Sequence, residues 1–175
     1  CDTLLLSVGL IPENELSKDA GVLLDPITGG AVVNQSRETS VKGIFACGNV
    51  LQVHDLVDYV SEEAELAGKN AAAYLRGGSG KKTRLRVEAG TGIRYVLPQV
   101  IDQTENDVPL YFRAADVCQN VNLRLAADGE TLLSVNKKRL APGEMERLPL
   151  ASGLLQKVKG GSVMLSVEGE DAAWS

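Results

Sequence analysis

Few side chains in this sequence have the type and spacing to do chemistry. Three cysteines, Cys1, Cys47 and Cys118, stand far apart and are odd in number, so no disulfide framework and no Cys-x-x-Cys pair is available. A thiol reacts as its thiolate, and Cys47 lies within Ile44-Phe45-Ala46-Cys47-Gly48, where it reads as a small buried hydrophobe rather than a redox group. Cys1 and Cys118 read no differently. His54 is the single histidine, which removes histidine-cluster chemistry. It reads as a packing or helix-start residue, with proton exchange as the alternative. Asp55, Asp58, Glu62, Glu63 and Glu65 are close enough in sequence to suggest a cation site, but they read as the solvated face of a helix. No serine stands in anything like a nucleophile elbow, so Ser-His-Asp catalysis is without support. Lys137-Lys138-Arg139 reads as a strand edge kept soluble by charge, not as a nucleic-acid patch.

The chain that must position these groups has 175 residues, 44% hydrophobic but only 4% aromatic, and a net charge of −5. That is enough chain for one large or two small globular domains. No run approaches the roughly 18 apolar residues of a membrane helix, and nothing resembles a signal peptide. A cytoplasmic protein with no membrane partner is expected. The acidic balance argues against nucleic acid, since phosphate binding needs a basic face. The charge is unevenly spread: residues 1–80 hold 5 basic and 11 acidic side chains, whereas 81–175 hold 13 and 12. The break falls in the glycine-rich, charged stretch 77–82, which has linker composition.

Hydrophobic period differs across that break. In residues 1–76, Leu4–Val8 reads as a buried strand of a parallel sheet, met without any turn before it, as in a piece of something longer. A short helix is expected within Glu13–Ala20, closed by Gly21, then short strands at Val22–Leu24, Ala31–Val33 and Ile44–Cys47. Leu56, Val60, Ala64, Ala67, Ala71 and Tyr74 recur at spacings of 4, 4, 3, 4 and 3, which predicts one helix with a narrow apolar stripe. Asp55 is its expected N-cap. In residues 83–175 the period is two: Leu85 and Val87, Val121, Leu123 and Leu125, and Val163, Leu165 and Val167 alternate with polar neighbours. Asp128-Gly129 predicts a hairpin and Pro142-Gly143 another corner. About seven short strands and no helix predict an antiparallel β-sandwich, immunoglobulin-like as one form it can take. The fold class is thus α+β in two parts.

The first part carries a resemblance. Cys1-Asp2-Thr3-Leu4-Leu5-Leu6-Ser7-Val8-Gly9-Leu10-Ile11-Pro12-Glu13-Asn14 resembles the end of the NAD(P)-binding domain in FAD-dependent pyridine nucleotide–disulfide oxidoreductases. Thr39-Ser40-Val41-Lys42-Gly43-Ile44-Phe45-Ala46-Cys47-Gly48-Asn49 is similar to that family's second FAD motif, with Asn49 where the family has Asp. The helix bearing Ala67-Gly68 resembles the last helix of its flavin domain, so the likeness covers residues 1–76. It implies a partial Rossmann-like FAD-binding segment. Gly48 and Asn49 would meet the flavin chain, and free N–H groups near Val60, Ser61 and Glu62 would face the flavin ring. Asn49 keeps an acceptor oxygen but not the charge.

Neither a Gly-x-Gly-x-x-Gly loop nor the family's redox Cys-x-x-Cys occurs in the sequence. The resemblance therefore implies a C-terminal portion of an NAD(P)H- and FAD-dependent oxidoreductase, inactive alone and holding no flavin alone. Its expected partners are the upstream part of its own polypeptide and a second copy or a redox protein. The alternative is that the sandwich is a binding module for a partner subunit or electron acceptor.

Overall fold

The computed structural model describes residues 2–6, 9–77, 84–102, 106–159 and 161–169. Cys1, Ser7, Val8 and residues 78–82 of the expected linker lie outside them. The chain is α+β in two parts, a helical N-terminal part and a strand-rich C-terminal part.

Among the described residues, eight strands build the C-terminal part: β1 (Arg84–Ala89), β2 (Ile93–Leu97), β3 (Val100–Asp102), β4 (Val108–Ala114), β5 (Cys118–Ala127), β6 (Glu130–Leu140), β7 (Glu146–Leu150) and β8 (Ser162–Glu168). They form a five-stranded sheet in the order β3-β1-β8-β5-β6 and a three-stranded sheet in the order β2-β4-β7. The alternating residues do what their period predicts. Val121, Leu123 and Leu125 on β5 and Val163, Leu165 and Val167 on β8 are buried, and they share one core with Leu110, Phe112, Leu148 and Leu150 of the opposite sheet. Asp128 and Gly129 turn the β5–β6 hairpin with φ of 53° and 82°. Lys137 and Arg139 lie on the edge strand β6 and pair with Glu146 and Glu144.

Two expectations are corrected here. The sandwich is not wholly antiparallel, because β1 runs parallel to β8, from Arg86 beside Ser162 to Ala89 beside Leu165. A parallel pair needs a long connection rather than a hairpin, and here nearly the whole sandwich lies between the two strands. The second part also contains a helix, the single turn α3 (Ser152–Leu155).

The three-stranded sheet is covered on both faces. On β4, Leu110, Phe112 and Ala114 enter the sandwich core while Tyr111 and Arg113 project to the other side. There Val22, Ala31, Val33 and Leu51 of the first part pack with Tyr95 and Leu97 of β2 in a second apolar cluster. Polar contacts close the seam. The Val100 N–H donates to Val33 O at 3.3 Å, Val33 N–H to Gln99 Oε1 at 3.1 Å, and Asn34 Nδ2 to Asp102 Oδ2 at 3.0 Å.

In the first part, α1 (Glu15–Asp19) ends before Gly21, whose φ is +76°. The three short strands expected after it are reduced to single bridges: Leu24 with Ala31, Val33 with Thr39, and Phe45 with Glu38. Leu4, Leu5 and Leu6 are not a buried strand; they are 80%, 91% and 76% exposed, and no described strand lies beside them to pair their backbone.

Helix α2 (Val57–Leu75) forms as its period predicts, with two corrections. Its N-cap is Leu56 and no side chain caps it, because the Asp55 carboxylate is engaged by Arg113 and by the Met145 N–H. Its most buried positions are Glu63 and Ala67, whereas Leu56 and Ala64 of the expected stripe are exposed. Among the described residues no helix is long and apolar enough to cross a membrane.

Candidate functional site

The segment with chemistry in its sequence folds as a reversing turn. Thr39 N–H donates to Ile44 O at 2.8 Å and Ala46 N–H donates to Arg37 O at 3.0 Å, so the chain doubles back between them. It then enters a 3-10 turn, Gly48–Val50, with Gly48 at φ +73°. A Cβ there would meet only Val60 Cγ1, at 3.5 Å, so the dihedral rather than the space calls for glycine.

Glu63 ties this turn to α2. Its Oε2 accepts the Gly48 N–H at 2.8 Å and its Oε1 accepts Arg37 Nε at 2.8 Å. His54 Nε2 lies 3.3 Å from Oε2, too poorly aligned to count as a hydrogen bond. All three side chains are about 1% exposed. Burial alone would raise the Glu63 carboxyl, but the His54 ring, the Arg37 charge and the Gly48 N–H outweigh it and hold the group below the usual carboxylate range. The face read as solvated therefore contains a buried ion pair.

The same charges act on Cys47. Burial pushes its thiol up and the Glu63 carboxylate adds to this, against a smaller opposing effect of Arg37. The thiol is protonated at neutral pH, and the packing reading of Cys47 follows. Its alkylation by iodoacetamide in the folded chain should be slower at pH 7.5 than that of a free model thiol, and should accelerate only above the ordinary thiol range. Rapid modification of Cys47 at pH 7 would contradict this.

The connection from the turn to α2 is held by the sandwich. Arg113 on β4 donates through Nη2 to Val53 O at 3.0 Å and to Asp55 Oδ1, and through Nε to the Tyr95 hydroxyl at 2.9 Å. Tyr111 stands beside it, edge-on to Tyr59 of α2 at 5.9 Å and within 6 Å of the Arg37 and Arg147 guanidinium groups.

Of the five sequence-predicted site residues, Gly48 and Asn49 sit together in the turn, Gly48 buried and Asn49 exposed. Asn49 Oδ1 accepts the His54 N–H at 3.1 Å. Val60 is half-buried against Gly48, while Ser61 and Glu62 are exposed. Ser61 Oγ donates to Val57 O at 3.1 Å, and Glu62 reaches Arg147 at 3.9 Å. Because α2 starts at Val57, the N–H groups without an intrahelical acceptor belong to Val57, Asp58 and Tyr59. The free donors expected near Val60, Ser61 and Glu62 thus lie one turn earlier.

Sequence reasoning missed Arg37, Glu63, Tyr111 and Arg113. For Glu63 a signal existed, since it is three residues after Val60 and four before Ala67 and so shares their face. Among the described residues no group of three or more His, Cys, Asp or Glu side chains is arranged to hold a metal.

Comparison with known families bears on this turn and helix together. Residues 1–73 match the family model described as pyridine nucleotide-disulphide oxidoreductase. The match supports a pyridine nucleotide-disulphide oxidoreductase segment at residues 1–73, followed by a strand-rich part. No match was found among curated proteins or among solved structures. The matched segment contains the Gly48-Asn49 turn, His54, Glu63 and most of α2, while the strand-rich part that follows lies outside the match. The family implies FAD and NAD(P) in its full-length members.

Proposed function

We propose that this chain is the C-terminal portion of an NAD(P)H- and FAD-dependent oxidoreductase and contributes one wall of its flavin site. Gly48 and Asn49 contact the flavin chain, and the first turn of α2 faces the ring. The observation that carries the reading is the pairing of an exposed Asn49 with an uncapped N-terminus on a 19-residue helix, tied together through Glu63 and Gly48.

These residues fit the group. Asn49 has an acceptor oxygen with capacity beyond the His54 N–H, and an amide donor besides. The positive end of the α2 dipole favours negative charge on a reduced ring, although Asp58 in the first turn offsets part of that effect. A bound flavin would supply the hydride and electron transfer. The chain's own residues bind and orient it.

By itself the chain lacks the glycine-rich loop that supplies most phosphate contacts in such sites, and holds no flavin. Its upstream partner is therefore the part of the polypeptide that carries that loop. In the FAD-loaded, cytoplasmic enzyme, Asn49→Leu is expected to speed flavin loss by about tenfold or more, the effect of deleting a buried polar contact of 1–3 kcal/mol. Flavin release under dilution, followed by fluorescence, measures it. A colourless full-length protein, or an Asn49→Leu enzyme that keeps flavin as tightly as the parent, would sink the reading.

The alternative, a free-standing binding module, is less well supported. The outer face of the three-stranded sheet, a natural docking surface, is already covered by this chain's own residues 22–59.

A further inference from the structure

The stretch between the Gly48–Val50 turn and α2 is short of partners of its own. Gln52 is about 1% exposed with neither amide atom hydrogen-bonded, and His54 Nδ1 is likewise buried without a hydrogen bond. Besides its own backbone turns, its two ends are held from outside it. At its beginning, Gly48 is held by Glu63. At its end, Val53 O and Asp55 Oδ1 are both held by Arg113, a residue of the sandwich about sixty positions away. Arg113 is itself fixed by two further hydrogen bonds, its Nε donating to the Tyr95 hydroxyl at 2.9 Å and its Nη1 to Pro142 O at 3.3 Å. Its partner Asp55 is fixed in turn, Oδ2 accepting the Met145 N–H at 2.6 Å.

The planar guanidinium thus spans β2, β4, the β6–β7 corner and the connection to α2 at once. A lysine, with one point donor and no fork, does not match that geometry.

The geometry points to Arg113 as a positioning residue for the flavin-facing turn: among the contacts that the sandwich makes there, this side chain fixes the connection between Asn49 and the start of α2. The inference rests on the flavin reading above for its functional consequence, but its structural half stands on the chain alone. It also gives the sandwich a role inside the enzyme. The β-domain is the outer brace of the wall, holding from behind what Asn49 and α2 present in front.

Two measurements test it. In the 175-residue chain, hydrogen exchange is followed at the amides of Leu51, Gln52 and His54, all of which donate hydrogen bonds within the stretch. Arg113→Met should speed their exchange by about 10- to 100-fold, the effect of losing hydrogen bonds to charged groups. Amides of β5 and β8 should keep their protection, and Arg113→Lys should recover part of it. Unchanged exchange at 51–54 in Arg113→Met overturns the inference, as does an equal loss of protection across β5 and β8, which would mark a general stability defect.

In the FAD-loaded enzyme, Arg113→Met should release flavin faster and broaden its visible absorption band, with Lys partly restoring both. If Asn49→Leu releases flavin and Arg113→Met does not, the inference fails while the flavin reading survives. If neither does, both fail.

Discussion

Replacing Glu63 with alanine is expected to lower the unfolding free energy by about 3–5 kcal/mol, the usual effect of removing one partner of a buried ion pair. The size follows from what remains. Arg37, fully buried and at φ +65°, keeps its charge with no carboxylate against it. Gly48 loses the acceptor of its N–H in a buried turn, and His54 loses the group beside its ring.

Glu63→Gln separates charge from shape, and pH is the discriminating variable. The folded-state pKa of Glu63 lies below its ordinary value, so its contribution is fully present above the unfolded carboxyl pKa of about 4.3. It fades as pH falls from there through the folded value. The stability gap between parent and Glu63→Gln should therefore be widest near neutral pH and narrow on the acid side. Urea unfolding at a series of pH values measures it. A gap that stays constant, or a Glu63→Ala cost below about 1 kcal/mol, would show that the pair is not what holds α2 to the turn.

How far the sequence could reveal this arrangement depends on which period each residue obeys. Val121, Leu123 and Leu125 face a core because alternation is a local property of a strand, and Asp128-Gly129 is legible because few residue pairs tolerate two positive φ values. The partner of β1 is another matter. Nothing in Arg84–Ala89 encodes that its neighbour is β8, some seventy residues on, or that the two run parallel.

Glu63 was hidden by its company. Four acidic neighbours, Asp55, Asp58, Glu62 and Glu65, are exposed, and a fifth looked like one more of the same. Charge in a sequence argues for exposure only until a buried partner is found, and Arg37, in Ser36-Arg37-Glu38, gave no local sign of being one. Leu4–Leu6 failed in the opposite sense. The apolar run has a strand's composition, but Leu4–Leu6 form no strand, since composition cannot supply the neighbour that a strand needs.

The Gly48-Asn49 motif was legible because it depends on consecutive residues. What braces it was not, because Arg113 and Tyr111 come from a part of the chain whose own pattern concerns a different core. Along β4, Leu110, Phe112 and Ala114 announce the sandwich. The positions between them would ordinarily face water, and only the folded chain shows that they meet a second layer.

That second layer makes the other large prediction. Tyr111→Ala is expected to destabilise the chain by about 3–5 kcal/mol, as for other buried aromatics cut to alanine. The loss should fall mostly on one side of the seam. Tyr111 is 3% exposed, packs edge-on against Tyr59 of α2, and lies beneath the Arg37 and Arg147 guanidinium groups. Its neighbour Phe112 points the other way, into the sandwich core. Tyr111→Ala should therefore loosen α2 and the 48–55 stretch first, and unfolding followed by hydrogen exchange should show α2 amides losing protection before those of β5 and β8. Phe112→Ala should cost a similar amount but expose both parts together.

Tyr111→Phe is the control. Burial already pushes the phenol up, so it is neutral across the working range, and the ring supplies the contacts. Removing the hydroxyl should change stability by less than about 1 kcal/mol. If Tyr111→Ala and Phe112→Ala gave the same exchange pattern, the two parts would unfold as one unit and the seam would carry no separate step. If Tyr111→Ala cost little, the sandwich would merely lie beside α2 and the Gly48–Val50 turn. The predicted asymmetry is what would make the strand-rich part a structural support of α2 and the 48–55 stretch rather than a passenger beside them.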